Sequence, residues 1–561
     1  MGLRRFSWPA RHALVLATGL AAALPIIVVM IRAVAADWTA LGDNAITAVR
    51  AYDVFTAHSP LVGQSSGGAT SVLDQRAFCP GPLLYWLLAV QAHFLDPVWM
   101  AITAGLVNIA SIMGAVALAR RRGGLLLMFA TAAAIPVMLL SIPSHAYSDP
   151  WNPWVPLMPF LLLIFLTWSL ACGEVRLLPV AVLVASFVAQ THLAFLLPAV
   201  GVMAVGLAGL ALSRRRPGPA VSGSVRRPSG EGGSARPWVI AAAVVFVVCW
   251  TAPVVEQATH RPGNFVLLAR AASTDQPTLG TSAGAYAVAR AVGVRPWWLR
   301  APRGTEERII DLQARPGARS LGSTIVVLAG LAVVALVALR RRRHDVVAAV
   351  ALAFVLCAIL AMNAAAVPEP AIATVGYTML WASPAGMVIW LVLGWSIVTL
   401  VGGSRFVVRP GRPALLGLGG VVLVAAVVAV AADPPFEPFG QMRAADERAV
   451  AATPAGQTVR VDRSARGFFP VVTAVRFQAG LVYALRRHGR SVRAPILAEK
   501  LGSLYRAGPA ERALRVDVDA PPPPGSRAVI RFLVRPRSST LHLAPQVVRI
   551  TSRRLPAHAR S

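Results

Sequence analysis

The chain has 561 residues, of which 56% are hydrophobic and only 14% charged, and its mean hydropathy is +0.62. That charged share is about half of a soluble domain's, and apolar runs of 18 or more residues recur, each long enough to cross ~30 Å of hydrocarbon. A soluble globular protein is therefore excluded. The net charge of +30 would suit nucleic acid, but the basic residues stand in short clusters between apolar runs, where the positive-inside bias accounts for them. No nucleic-acid partner is expected.

The first apolar run, 13–35, reads as a membrane span and not as a signal peptide, because it is too long for an h-region. Cleavage after Ala33-Val34-Ala35 is the competing reading. Ten further spans follow at 98–119, 124–142, 154–171, 177–190, 193–212, 238–256, 321–339, 346–366, 381–402 and 413–432. Eleven spans put every basic cluster on one side: Arg4/Arg5/Arg11, Arg120–Arg122, Arg214–Arg216 with Arg226/Arg227, Arg340–Arg343, and Arg405/Arg409/Arg412. The N-terminus is then cytoplasmic and the C-terminus extracytoplasmic, in a multi-pass protein of the plasma membrane. The run 80–95, "PGPLLYWLLAVQAHFL", is short, about 24 Å as a helix, and reads as re-entrant. The alternative is a true span there, with 177–212 fused into one long helix.

Three outer segments result: 36–97, 257–320 and a tail. The inner loop 213–237, rich in Gly, Ser, Pro and Arg, reads as a flexible linker. The chain thus divides into a transmembrane domain, 1–435, and an extracytoplasmic C-terminal domain, 436–561. In the tail, "QTVRVD" predicts a short strand and "VVTAVRFQAGLVYALRRHG" a helix closed by Gly489, with "SVRAP" following. "RALRVDVDAPPPPGSRAVIRFLVRP" predicts two strands joined by a proline turn. The expectation is a small α/β domain with disordered ends. The fold class is a polytopic α-helical membrane protein of about 11 transmembrane helices with this domain appended.

Within 36–97, Ile46, Val49 and Tyr52 recur every three residues, with Thr47 and Arg50 on other sides. That predicts an amphipathic helix over 44–56 lying in the outer interface. Asp43 stands at its N-terminus, where an aspartate is also an ordinary N-cap; Asp53 reads equally as a surface charge. Other outer edges carry His145, Asp149 and Asn152 in "SHAYSDPWNPWVPL", Gln190 and His192 in "FVAQTHLAFLLP", and Glu256, Gln257 and Asn264 in "WTAPVVEQATHRPGN". Ionisable residues near a bilayer are costly and usually face a cavity, so these clusters together predict one outward-facing pocket. Taken singly, His192 reads as structural, and Trp151 and Trp154 as interfacial belt residues. Of the four cysteines, Cys172, Cys249 and Cys357 lie in or beside apolar runs and only Cys79 in a polar region; neither a disulfide nor a metal site is indicated.

The acid after the first span, the "HSPL" at His58, the proline-rich "PGPLLYW" and the "DPWNPW" starting a span resemble the GT-C superfamily of membrane glycosyltransferases. The likeness covers about residues 10 to 435 and is nearer to the family 39-type enzymes and an actinobacterial branch. It implies a polyprenyl-phosphate sugar donor held in membrane lipid, a glycan or protein acceptor of the cell envelope, and transfer on the extracytoplasmic side. The catalytic acid of the first outer loop maps onto Asp43, and the acid at a later outer helix start onto Asp149. Relatives usually have a His where Cys79 stands, a departure that puts the role of that position in doubt. Arg50, Arg76 and Arg270 are the candidate cations for the phosphate, and Asp53 and His58 join the substrate-binding set. No cofactor is expected and no obligatory metal, a divalent ion being left open. A transporter or lipid flippase, or a non-catalytic envelope protein, is the alternative.

Overall fold

The computed structural model describes residues 8–73, 75–215, 235–301, 305–402, 412–433, 438–534 and 544–555. Most of the expected linker 213–237 lies outside the described residues, as do Arg4, Arg5, Arg216, Arg226, Arg227, Arg405 and Arg409.

A helix stands on each of the eleven stretches expected to span. The first is a pair, α1 (Trp8–Ala22) and α2 (Leu24–Ala35), bent by 56°. Pro25 in the first turn of α2 has no N–H to continue the α1 ladder. After α3 (Asp43–Asp53) and α4 (Leu83–Phe94) comes α5 (Val98–Leu139), which holds two of the expected spans. It breaks at Gly123 and Gly124, and Gly124 takes φ 70°, ψ −160°, a conformation that only glycine adopts readily.

The helical series continues with α6 (Leu157–Ala171), α7 (Leu178–Thr191), α8 (Leu196–Arg214) and α9 (Arg236–Thr259). Two shorter helices, α10 (Asn264–Ser273) and α11 (Gly280–Val292), precede α12 (Ala318–Arg340), α13 (His344–Ala365), α14 (Ala382–Gly402) and α15 (Arg412–Ala431). Among the described residues eight helices are long and apolar enough to cross a membrane, or nine if α1 and α2 count as one span. α6 and α7 have 15 and 14 residues, roughly 21–22 Å, short of a ~30 Å hydrocarbon layer. At 12 residues, α4 is about 18 Å long, which suits a helix that dips without crossing. α11 differs from the expected outer loop: Gly284, Ala287 and Ala291 are buried, and it packs on α13 inside the bundle.

At the end bearing the basic clusters, Glu174 pairs with both Arg121 (2.7 Å) and Arg122. The loops after α5's first half and after α6 therefore share one end of the bundle, as alternating spans require.

The tail begins with α16 (Phe439–Ala451) and forms a five-stranded sheet of order β2-β1-β3-β5-β4. The strands are β1 (Thr458–Ala465), β2 (Ser491–Arg493), β3 (Arg512–Val518), β4 (Arg527–Val534) and β5 (Gln546–Arg554). β1 runs parallel to β2 and β3, while β5 runs antiparallel to β3 and β4. α17 (Phe468–Arg487) is the crossover between β1 and β2, and Gly489 (φ 73°) closes it.

β3 and β4 are the two strands expected on either side of a proline-rich connection, 519–526, and β5 lies between them in the sheet. Val548 and Ile550 of β5 are fully buried, and the end of the tail after Leu555, expected to be disordered, lies outside the described residues.

α17 passes the length and composition test for a span, but it packs on β1 and β3 with one side and on α3 and α16 with the other. Being covered on two sides, it needs the continuous apolar run "GLVYAL", all of it buried. α3 is corrected in turn. It is not an interfacial helix with one wet face, for Ile46, Thr47, Val49 and Asp53 are all essentially buried. It lies between α4 and α17, and one apolar core joins it to the tail, including Ala45, Val49, Leu88, Phe477, Val482 and Val516.

Candidate active site

Gly42 sets the geometry at the start of α3. Its φ of 56° and ψ of −128° exclude ordinary side chains, and a Cβ there would sit 3.3 Å from Arg476 Cγ. Its N–H donates to the Arg476 carbonyl at 3.2 Å. Gly42 occupies the cap position without a side-chain cap, and Asp43 is the first helical residue. Asp43 is therefore not the N-cap. Its side chain faces a cavity of about 450 Å³ at the end of the bundle away from the arginine clusters.

The loops at that end supply the polar wall: Asp43, Asn44, His145, Asp149 and Asp433. Asp149 is held by a local turn in which its Oδ1 accepts from the Trp151 N–H at 2.8 Å, the usual use of an aspartate before proline. Asp433 follows the last helix of the bundle, where its carbonyl accepts from Ser144 Oγ at 3.2 Å. The tail supplies the cationic residues, Arg476 from α17 and Lys500 from the short helix Ala498–Leu501. Lys500 Nζ lies 3.5 Å from Asp43 Oδ1, their side chains being 34% and 41% exposed. An ion pair so exposed contributes only ~0–1 kcal/mol, so the amine is easily exchanged to another anion.

The remaining wall is apolar: Val29 and Ala33 of α2, Trp38, Phe439, and Val471, Val472 and Val475 of α17. Trp151 and Trp154 also line the cavity and meet edge to face at 4.6 Å, while His145 meets Trp154 edge-on at 4.7 Å. The two tryptophans, expected as interfacial belt residues, thus line the cavity.

Of the expected set, the cavity brings together Asp43, Asp149 and His145. The others serve elsewhere. Glu256 Oε2 accepts from the Asn264 N–H and Gln257 Oε1 from the Phe265 N–H, both at 2.9 Å. They cap the start of α10. Asn264 bonds both backbone groups of Phe78, at 2.9 and 3.0 Å. Gln190 donates to the Cys249 carbonyl at 2.8 Å, and any Cβ on Gly81 would lie 2.1 Å from its Oε1. Asn152 donates to the Thr191 carbonyl (3.1 Å) and to Cys79 Sγ (3.7 Å), and His192 Nδ1 accepts from the Ala194 N–H at 3.2 Å. These residues wire loops to one another. His58 and Arg270 are exposed and line no wall of the cavity.

The expected phosphate cations are also corrected. Arg76 pairs with Glu499 at 2.5 Å. Arg50 donates to the Leu501 carbonyl at 2.6 Å and lies 3.6 Å from Asp53. Asp53 is no surface charge: it is fully buried beneath the tail, bonded to Arg486 (3.1 Å) and to the Tyr505 hydroxyl (3.1 Å). Burial pushes its carboxyl above the ordinary range, and the charges of Arg486 and Arg50 offset part of that.

Sequence reasoning missed Asp433, Arg476 and Lys500. Asp433 carried the signal used for Asp43, an acid just past a span. Lys500 carried another, as the single lysine in an arginine-rich chain.

No family model matches the chain, and no curated protein matches it. Among solved structures the chain is similar to ArnT from Cupriavidus metallidurans in the apo state, with 11% identity and a TM-score of 0.42 over 97% of this chain and 98% of that one. At that identity and score the likeness says nothing of chemistry.

Proposed function

We propose that this chain is an integral membrane glycosyltransferase that moves a sugar from a polyprenyl-phosphate donor to a cell-envelope acceptor on the extracytoplasmic side. The observation that carries the reading is one cavity in which Asp43 and Asp149 meet two tail cations, Arg476 and Lys500, against a wall of tryptophans and aliphatic side chains. The apolar wall, continuous with α2, suits a lipid-linked donor, and the tryptophans suit the C–H faces of a sugar.

In the proposed step an acceptor oxygen attacks the anomeric carbon, its proton passes to Asp43, and the bond from that carbon to the phosphate oxygen breaks. The phosphate departs as an anion, so it needs positive charge more than a proton, and Lys500 and Arg476 supply it. Direct displacement inverts the anomeric centre. Asp149 orients the acceptor or the sugar. The mechanism calls on no cofactor. A transporter would gather its ionisable residues near mid-depth, whereas these stand at one end of the bundle.

Asp43→Asn tests the reading. Because Asp43 is not the cap, asparagine there leaves the helix start intact. Transfer from a radiolabelled polyprenyl-phosphate sugar should fall by about 10²-fold or more, while the purified variant elutes like the wild type. Transfer at the wild-type rate would remove Asp43 as the base.

A further inference from the structure

Lys500 is held from both sides. The residue before it, Glu499, pairs with Arg76 of the first loop at 2.5 Å. The residue after it, Leu501, offers its carbonyl to Arg50 of α3 at 2.6 Å. Gly502 follows with φ 107°, and a Cβ there would lie 3.3 Å from Arg50 Nη1, so the chain just after Lys500 runs close against that guanidinium. Arg50 is in turn fixed by the fully buried Asp53, which also binds Arg486 and Tyr505 of the tail. Among the described residues, the amine's contact is its exposed pairing with Asp43. The backbone of this residue is thus anchored by a buried cluster while its tip stays exchangeable.

We propose that the Arg50–Asp53–Arg486–Tyr505 cluster, with Arg76–Glu499, is a latch that docks the tail so as to hold Lys500 over Asp43, where its amine binds the phosphate of the donor. The role given to phosphate rests on the glycosyltransferase reading; the latch does not. Lys500 is the residue that touches the donor, and Arg50, Asp53 and Tyr505 are positioning residues that act through it. In the resting protein the amine neutralises Asp43. When donor arrives it moves to the phosphate and leaves the carboxylate free to accept a proton.

The single lysine makes this measurable. Reductive ¹³C-methylation of the purified full chain in detergent yields, beside that of the N-terminal amine, one lysine resonance. Lys500→Arg removes that resonance and so assigns it. Arg50→Met removes the contacts with Leu501 and Asp53, Tyr505→Phe removes the hydroxyl's bond to Asp53, and neither introduces a new amine. Both should move the resonance toward that of free dimethyl-lysine, with helix content and elution unchanged. They should also raise the donor KM about tenfold or more with a smaller change in kcat, and Arg50→Met combined with Lys500→Ala should be no worse than Lys500→Ala alone. Glu499→Gln gives a second, gentler break should Arg50→Met fail to fold. A resonance that stays in place in Tyr505→Phe and in whichever of the other two folds would overturn the latch.

In the wild type, farnesyl phosphate should shift the resonance, and inorganic phosphate or phosphatidylglycerol at equal concentration should shift it less. If the latch variants move the resonance but farnesyl phosphate does not, the latch stands and the donor-phosphate role is overturned. An equal shift with phosphatidylglycerol assigns the amine to lipid headgroups and overturns the donor role as well.

Discussion

Gly42 and Asp53 bracket α3 and do opposite kinds of work. Gly42 must be glycine because its backbone conformation strains any other residue, and a Cβ there would also crowd Arg476 Cγ at 3.3 Å. Gly42→Ala should cost ~1–3 kcal/mol and lower transfer further by pushing Arg476 out of the cavity. Comparing melting temperature with activity at a temperature where the variant is still folded separates the two effects. Asp53 carries no chemistry, yet its removal leaves Arg486 and Arg50 without their buried partner. Asp53→Ala should cost ~3–5 kcal/mol, read as faster amide exchange in β1 and β3 while the spans remain protected. Uniform exchange across the whole chain would contradict a locally docked tail.

At the scale of elements, the contact between α16 and the start of α5 makes a pH prediction. Asp96 accepts two hydrogen bonds from Arg443, at 2.6 and 2.9 Å. Burial by itself would raise its carboxyl, and the Arg443 hydrogen bonds and charge more than reverse that, so it lies below the ordinary range. A depressed carboxyl stabilises the docked form above the unfolded value of about 3.9, and that contribution is lost as pH falls through the depressed value. Proteolysis of the tail should therefore accelerate below about pH 4, and less so in Asp96→Asn, which has already lost the titrating group. α3 also shows why its surroundings were misread. The stripe Ile46, Val49, Tyr52 was plain, but Ala45, Ala48 and Ala51 repeat at the same spacing and are fully buried as well. Alanines read as neutral; here they form the second contact face that lets another helix approach closely.

For the whole molecule, the helices and the tail's α/β character were legible because each is written in a local period. The site was half legible. Acids just past the ends of spans pointed to Asp43 and Asp149, yet the same signature at Glu256 and Gln257 marked residues that cap a helix eight positions on. Local sequence cannot distinguish a carboxylate that faces a cavity from one that returns to its own loop. Arg476 was beyond reach and Lys500 stood out only as the single lysine, because only the tertiary fold brings them to Asp43. Ending the chain before Phe439 should leave the spans inserted but expose Ile46, Val49 and Asp53. Limited proteolysis should then cut within 36–97, and sugar transfer should disappear; a truncated chain that still transfers would show the tail to be dispensable.

The docking of α17 on α3 has a temporal consequence. Asp53 and its partner Arg486 are 433 positions apart, and a ribosome adding ~5–20 residues per second needs roughly 20–90 s to travel from one to the other. For that interval α3 waits beside the membrane with an apolar face and a carboxylate that has Arg50 but lacks Arg486 and Tyr505, and no lysine has yet been made to meet Asp43. Under the proposed mechanism a newborn chain is therefore inert until the tail closes over the first loop. In that window a chaperone or a protease would find α3 uncovered.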